Sequence, residues 1–450
     1  MTEREAEVVV VGGGIAGLAT AWRLRHRDVV LLEAADRIGG RLCSERRGDY
    51  WLNWGAHVFS GPDSATGRLL AEVGIDAVAV PGELAALAMK GRLLTDGRVE
   101  TYPFRIPMPL ASRLALVRSG AKVRLAVRRY GGVCMPRPGD SPGDLQQRVY
   151  DFMGEQSFAD FVGPLPEDAD AMFRPTVMRS AGSPEQVSAG AGVGYFRLVW
   201  NRRSGLSRNI LGGPSTLTEA ISAALSARVR IGAEVVEVIE TGNGVTVRYR
   251  DGSATAELRA RHCVLATPAP VTARVAVALE PETAAALRAV VYGPYVSAAF
   301  LTTEGDPRPW DRCNAIATPG RAFNIFFNVT SIARSEEPSR RAGSSIMVFS
   351  PAQLAEQLLE CEDSEILERY LRDAEAIFPG FATSVSEAHV RRWPLGLAYC
   401  FPGRGRLQAA LNRPLGRIWL AGDYLGTFYT ETAITTGWRA VDGILAELAS

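Results

Sequence analysis

Residues 7–17 read EVVVVGGGIAG. Val8–Val11 are β-branched and lack polar alternation, as in a parallel strand buried on both faces. Gly12, Gly13 and Gly14 follow, then Ile15, Ala16 and Gly17, and LATAWRLR (18–25) continues as a helix. A second apolar strand, Val29–Leu32, ends on Glu33. That acid stands about 20 residues beyond the first glycine, the spacing of a dinucleotide site. Gly12 makes the turn, Gly14 lets backbone approach a pyrophosphate, and Gly17 lets helix pack on strand. The helix start at Ile15 and Ala16 offers unpaired N–H groups and a positive dipole end. Glu33 can accept both ribose hydroxyl protons and repels a 2′-phosphate.

The next eight residues, Ala34-Ala35-Asp36-Arg37-Ile38-Gly39-Gly40-Arg41, choose between dinucleotides. Gly39 and Gly40 allow a second backbone approach, and Arg37 and Arg41 can neutralise a diphosphate. A plain NAD dehydrogenase has no use for this second cradle. The string resembles that of the flavin-containing amine oxidase superfamily, which includes monoamine and polyamine oxidases, protoporphyrinogen oxidase and carotenoid desaturases. The resemblance implies noncovalently bound FAD.

It extends to three further segments. In YWLNWGAHVFSG (50–61), Gly55, Ala56 and His57 are implied as neighbours of the flavin ring, with His57 either a substrate-side acid/base or a packing histidine. Gly212–Leu217 precede an amphipathic helix, and strands follow with Gly242–Gly244 as a hairpin turn; the resemblance implies that the backbone near Val235 or Val236 meets the adenine. At the end, RIWLAGD (417–423) reads as a strand and turn, Tyr424–Glu431 as a loop, and Thr432 onward as the last helix. The resemblance implies that Gly422 and Asp423 meet the ribityl chain. It implies too that Thr432 and Ala433 open a helix whose dipole stabilises the reduced ring.

Within this pattern Tyr429 takes one position of the aromatic cage around the substrate nitrogen, whereas the other falls at Gly396. Leu395 stands where mitochondrial relatives carry the flavin-linking cysteine. Ser297 stands where many amine oxidases hold a lysine beside the flavin, so dioxygen is one candidate electron acceptor among others. Tyr195, Phe196, Trp200 and Phe326 join Tyr429 as candidate pocket-lining residues.

Composition bounds the rest. The 450 residues carry 50 basic and 49 acidic side chains, net charge +1, which excludes a nucleic-acid binder held by bulk charge. Lysine occurs only at Lys90 and Lys122, leaving two candidates for a deprotonated amine. Six dispersed cysteines without a CxxC give no disulfide framework and no metal site. The acidic start MTEREAE is unlike a secretion signal, and the expected address is cytoplasmic. Residues 103–148 carry nine Arg or Lys against two Asp. There Leu110, Leu114, Val117, Ala121 and Leu125 share one helical face, and the pattern predicts a helix packed on two sides, not one lying in a membrane.

The expected fold is α/β: a Rossmann-like FAD-binding domain from residues 1–80, 206–290 and 391–450, interrupted by an α+β substrate-binding domain from 81–205 and 291–390. The expected function is an FAD-dependent, amine-oxidase-like oxidation of a C–N or adjacent C–H bond in a small molecule. The alternatives are a protoporphyrinogen-oxidase-like or desaturase-like dehydrogenation of a large planar or polyene substrate, and a non-redox flavin-dependent mutase.

Overall fold

In the computed structural model, which describes residues 4–80, 86–97, 101–200, 206–312, 314–336, 342–426 and 429–449, strand Arg4–Val11 lies in the middle of a seven-stranded sheet. It runs parallel to Val29–Leu32 on one side and to Ala254–Leu265 on the other. Beyond Val29–Leu32 comes Val229–Arg230, and beyond Ala254–Leu265 come the antiparallel strands Gly244–Asp251 and Ala233–Thr241. Ile418–Leu420 also pairs in parallel with Ala254–Leu265. The valines explain the missing alternation. Val8 and Val10 pack under helices Ile15–Arg23, Ser215–Leu225 and Tyr429–Ala449, while Val9 and Val11 pack with Val247 and Leu265 on the reverse face.

The second seven-stranded sheet runs in the order Val385–Ala398, Tyr292–Thr302, Ser345–Pro351, Ile325–Asn328, Ala315–Ala317, Ala86–Met89 and Arg92–Leu94. Both chain insertions therefore contribute strands to it. The division expected at 390/391 falls inside Val385–Ala398, because that strand pairs with Tyr292–Thr302 through to Ala398. Residues 81–85 and 201–205, where two other divisions were expected, lie outside the described residues. Two helices, Gln353–Glu356 and Asp363–Ile377, follow strand Ser345–Pro351.

A helical layer built from residues 102–200 has its own core of Leu116, Val123, Tyr130, Phe158, Phe173 and Phe196. Helix Leu110–Val133 corrects one expectation. It buries Leu116, Val123, Ala126 and Tyr130, and leaves Leu110 at 72% and Leu114 at 62% exposure, with Val117 and Leu125 also exposed. The helix is packed on one side only, and the predicted apolar face is the outward one. Among the described residues, no helix is long and apolar enough to cross a membrane.

Candidate active site

The glycine turn is held by close backbone approaches. Gly12 has φ +107°, and a Cβ there would stand 2.8 Å from the Ala266 carbonyl oxygen. At Gly17 a Cβ would lie 1.9 Å from the Gly12 carbonyl oxygen, so only glycine lets the helix sit this close to the turn. Gly14 differs: a Cβ there meets no protein atom within 4 Å. Helix Ile15–Arg23 has no side-chain cap, so its first-turn N–H groups, those of Ile15 and Ala16 among them, open beside that empty space. These are the features a pyrophosphate needs, and the residues present fit FAD.

Glu33 closes the opposite side. Its carboxylate accepts the N–H of Gly13 at 2.5 Å and of Ala35 at 2.8 Å. The Gly232 and Ala233 N–H groups bond the carbonyls of Ala35 and Glu33, both at 2.8 Å, which sets the start of strand Ala233–Thr241, and with it Val235, beside the ribose acid. The Gly39 N–H donates to the Gly13 carbonyl at 2.8 Å, and a Cβ on Gly40 would meet only Gly14. The second pair of glycines thus lies directly on the first turn, next to Ala34 and its neighbours.

The two arginines of the string are engaged within the protein. Arg37 donates to the carbonyls of Ile38 (3.1 Å) and Gly40 (2.6 Å) and shapes the turn. Arg41 forms a bidentate pair with Asp423, at 2.7 and 2.9 Å, and donates to the Gly396 carbonyl at 3.0 Å. Burial opposes the Arg41 charge, but the Asp423 carboxylate outweighs it and holds the guanidinium above its ordinary pKa. The Arg41 side chain thereby latches the opening string to the closing motif.

The last helix begins at Tyr429, three residues before the Thr432 start read from sequence; Thr427 and Phe428 lie outside the described residues. Thr432 and Ala433 are buried in its first turns. The Thr436 hydroxyl accepts the Gly422 N–H at 2.9 Å, and a Cβ on Gly437 would stand 2.7 Å from the Ala16 carbonyl oxygen. The two helix starts of the cradle are thereby packed together. Sequence reasoning missed Glu431, whose carboxylate accepts the N–H groups of Ala65 (2.8 Å) and Thr66 (3.1 Å) and so caps helix Ala65–Val73. Its signal was the acid in the first turn of a helix.

On the side facing the second sheet, Ala56 N–H donates to the Arg41 carbonyl at 3.0 Å, which brings 55–57 against the cradle. His57 is buried, with Nδ1 3.0 Å from the Gly55 carbonyl and its ring edge-on to Phe327 at 4.5 Å. Its Nε2 has no partner among the described residues. Burial pushes its pKa down to about 4; the Gly55 bond works the other way, and Arg179 adds to the lowering. At neutral pH His57 is uncharged, with Nδ1–H donating and Nε2 free to accept.

The aromatic candidates separate. Tyr195 and Tyr429 form a tilted pair with ring centroids 5.5 Å apart. Phe196, next to Tyr195, turns the other way and stacks on Phe158 in the helical core. Trp200 packs on Phe196 and is 40% exposed at the surface. Phe326 is wholly buried between Phe378 and Phe381, on the far side of its strand from His57. These three are corrected from pocket lining to packing and surface. The rings that do face His57 were missed: Phe327, then Phe349 at 5.9 Å from it, then Tyr295 at 5.5 Å from Phe349. A Cβ on Gly396 would stand 2.5 Å from the Tyr295 ring, so that ring fills the place where the cage pattern lacks an aromatic.

Ser297 is buried, donating to the Trp54 carbonyl at 2.9 Å and accepting from Trp393 Nε1 at 3.1 Å. Both lysines are engaged elsewhere: Lys90 pairs with Asp168 at 2.5 Å, and Lys122 donates to the Phe161 carbonyl.

A family model described as flavin containing amine oxidoreductase matches residues 15–445. The chain is 25% identical over 457 residues to a coproporphyrinogen III oxidase of Mycobacterium tuberculosis, covering 98% of this chain and 97% of that protein. It is also 25% identical over 491 residues to the flavin-containing amine oxidase B of Sus scrofa, covering 98% and 86%. A structure of putrescine oxidase bound to putrescine aligns with a TM-score of 0.78 at 18% identity, covering 99% of this chain and all of that one.

Proposed function

Because the chain belongs to the flavin-containing amine oxidoreductase family, and its glycine turn, Glu33 and last helix converge on one cradle, we propose that it oxidises a C–N or adjacent C–H bond in a small molecule held against Tyr195, Tyr295 and Tyr429. FAD, held noncovalently by the glycine turn, Glu33 and the start of the last helix, would supply the two-electron acceptor for this oxidation. The chain's own residues orient the substrate and keep water out. Burial pushes the Tyr195 and Tyr295 phenols above their ordinary range, so both stay protonated. His57, uncharged, offers Nε2 as an acceptor for an amine N–H. The observation that carries the reading is the Tyr295 ring over Gly396, which with Tyr429 gives a substrate nitrogen two aromatic neighbours.

Noncovalent attachment is supported by Leu395 at the linking position. Burial pushes the nearby Cys400 thiol up to about 11, away from the reactive thiolate. Ser297 in place of a lysine supports a slow reaction with dioxygen. The five free cysteines among the described residues suit a reducing cytoplasm. We assign residues 1–80, 206–290 and the segment after Ala398 to the FAD domain, and the remainder to the substrate domain.

A second reading, dehydrogenation of a porphyrinogen-like macrocycle, is favoured by the full-length likeness to coproporphyrinogen III oxidase. Anaerobic titration followed by visible absorbance separates the two. Benzylamine or putrescine should bleach the flavin band and coproporphyrinogen III should not. The opposite result transfers the activity to the macrocycle, and bleaching by neither class removes both readings.

A further inference from the structure

Arg179 closes helix Glu167–Met178 and is only 8% exposed. Its backbone is held from several directions. The Tyr195 and Tyr295 hydroxyls both donate to its carbonyl oxygen at 2.6 Å. Ser180, next in the chain, donates through its hydroxyl to the Val177 carbonyl at 2.6 Å. Ala181 takes φ +73°, and Gly293 of strand Tyr292–Thr302 lies so close that a Cβ there would stand 1.8 Å from the Ala181 carbonyl oxygen. The main chain at Arg179 is therefore fixed by the rings proposed to hold the substrate.

Its guanidinium is placed among the same groups. The Cζ lies 5.9 Å from the centre of the Phe327 ring, which is itself 4.5 Å from His57. The Arg179 charge is felt by His57, Tyr195 and Tyr295. Among the described residues no carboxylate pairs with it and no acceptor receives a hydrogen bond from it. Arg404, also buried, is placed differently. Arg404 donates to the Tyr424 carbonyl (2.5 Å) and to Gln408, Arg148 pairs with Asp140, and Arg334 pairs with Asp311. A little-exposed guanidinium gains most from an anion that meets it away from bulk water. Arg179 holds its guanidinium, unpaired among the described residues, in a fixed position beside the Phe327 ring.

We infer that Arg179 binds a carboxylate of the substrate. A planar guanidinium presents paired N–H groups that match the two oxygens of a carboxylate, a geometry an ammonium group does not offer. The inference rests on the proposed function for its location, since it takes the Tyr195, Tyr295 and Tyr429 rings as the substrate side. It narrows the substrate class: simple amines lack the anion, whereas an amino acid carries it next to the nitrogen and a porphyrinogen carries it on its side arms.

Calorimetric titration of the purified holoprotein tests this with probes of matched shape. Benzoate should bind more tightly than benzamide, and Arg179→Met should weaken benzoate by about tenfold or more while leaving benzamide unchanged. Arg179→Lys, which keeps the charge without the fork, should fall between them, and flavin content reports whether each variant is folded. Coproporphyrin III and L-phenylalanine, titrated in parallel, tell a macrocycle's carboxylates from an amino acid's. Wild-type protein that prefers none of the carboxylates to benzamide overturns the inference, as does equal benzoate binding by wild type and Arg179→Met. A flavin that amines bleach beside an indifferent Arg179 keeps the proposed function and discards the anion site. A holoprotein whose flavin neither amines nor the macrocycle bleach, but whose benzoate binding still depends on Arg179, does the reverse.

Discussion

The glycine turn is shaped by backbone, whereas the His57 end is shaped by side chains. Around Gly12, Gly14 and Gly17 the geometry is decided by missing Cβ atoms, one helix start and one carboxylate, all within residues 12–33. Toward His57 the side chains come from distant segments, with Phe327 against the His57 ring, Tyr195 and Tyr295 on the Arg179 carbonyl and Tyr429 on Tyr195. Neighbours in sequence go opposite ways there: Tyr195 faces Tyr429 while Phe196 stacks on Phe158, and Phe327 faces His57 while Phe326 packs on Phe378. A local site survives a reading that is blind to packing. A site assembled from strands does not.

The sharpest contrast lies inside the cradle, between Gly17 and Gly14. Gly17→Ala drives a Cβ into the Gly12 carbonyl oxygen, 1.9 Å away, and neither atom can yield without moving the helix off the strand. The expected loss is about 4 kcal/mol or more of unfolding free energy, with little folded protein recovered. Gly14→Ala meets no protein atom, and its φ of −71° suits alanine, so denaturant midpoints of the flavin-free protein should shift by less than about 1 kcal/mol. Its effect should fall on the cofactor, as a lower ratio of flavin to protein absorbance after purification. If Gly14→Ala retained full flavin, the empty space would not be where the diphosphate lies.

That contrast also marks what could be read in advance. The turn, both parallel strands, Glu33 and the closing Gly422–Asp423 motif were legible because each depends on residue type at fixed spacing. The Arg41–Asp423 latch was not, since 382 positions separate its partners and each alone looked like a ligand contact. Phe326 was chosen over Phe327 because IFFN (325–328) is buried throughout and offers no alternation to tell its faces apart. The outward face of Leu110–Val133 was misread for a related reason: its apolar residues fill more than one stripe, and only the docked neighbours select the one that is buried.

Phe326→Ala turns this second lesson into a measurement. The ring fills a core shared with Phe378 and Phe381, so its removal should cost about 3 kcal/mol in denaturant unfolding. Substrate affinity and the flavin spectrum should stay at wild-type values. A stable variant with a raised KM would return Phe326 to the pocket and break the division between the two faces of its strand.

His57 gives a smaller effect that acts at the boundary between the two regions. Its pKa is about 4 in the native state against an ordinary value near 6.5, so the native ring is neutral where the unfolded one takes up a proton. Stability should therefore be independent of His57 above about pH 7 and decline as pH falls from about 6.5 toward 4. The loss is at most about 1.4 kcal/mol per pH unit and totals roughly 3 kcal/mol. His57→Asn keeps a donor for the Gly55 carbonyl and cannot be protonated in this range. It should be less stable than wild type at pH 8, where the contact with Phe327 is lost, and the gap should narrow steadily on acidification. Glu185 and Asp140, held down to about 2 chiefly by hydrogen bonds from Arg174 and Arg148, add acid sensitivity below about pH 4 to both proteins and cancel in the difference. Parallel melting-temperature curves for the two proteins between pH 6.5 and 4 would mean that the native ring is already charged or open to water. His57 would then belong with the solvated groups, and its Nε2 could not serve as the neutral acceptor assigned to it.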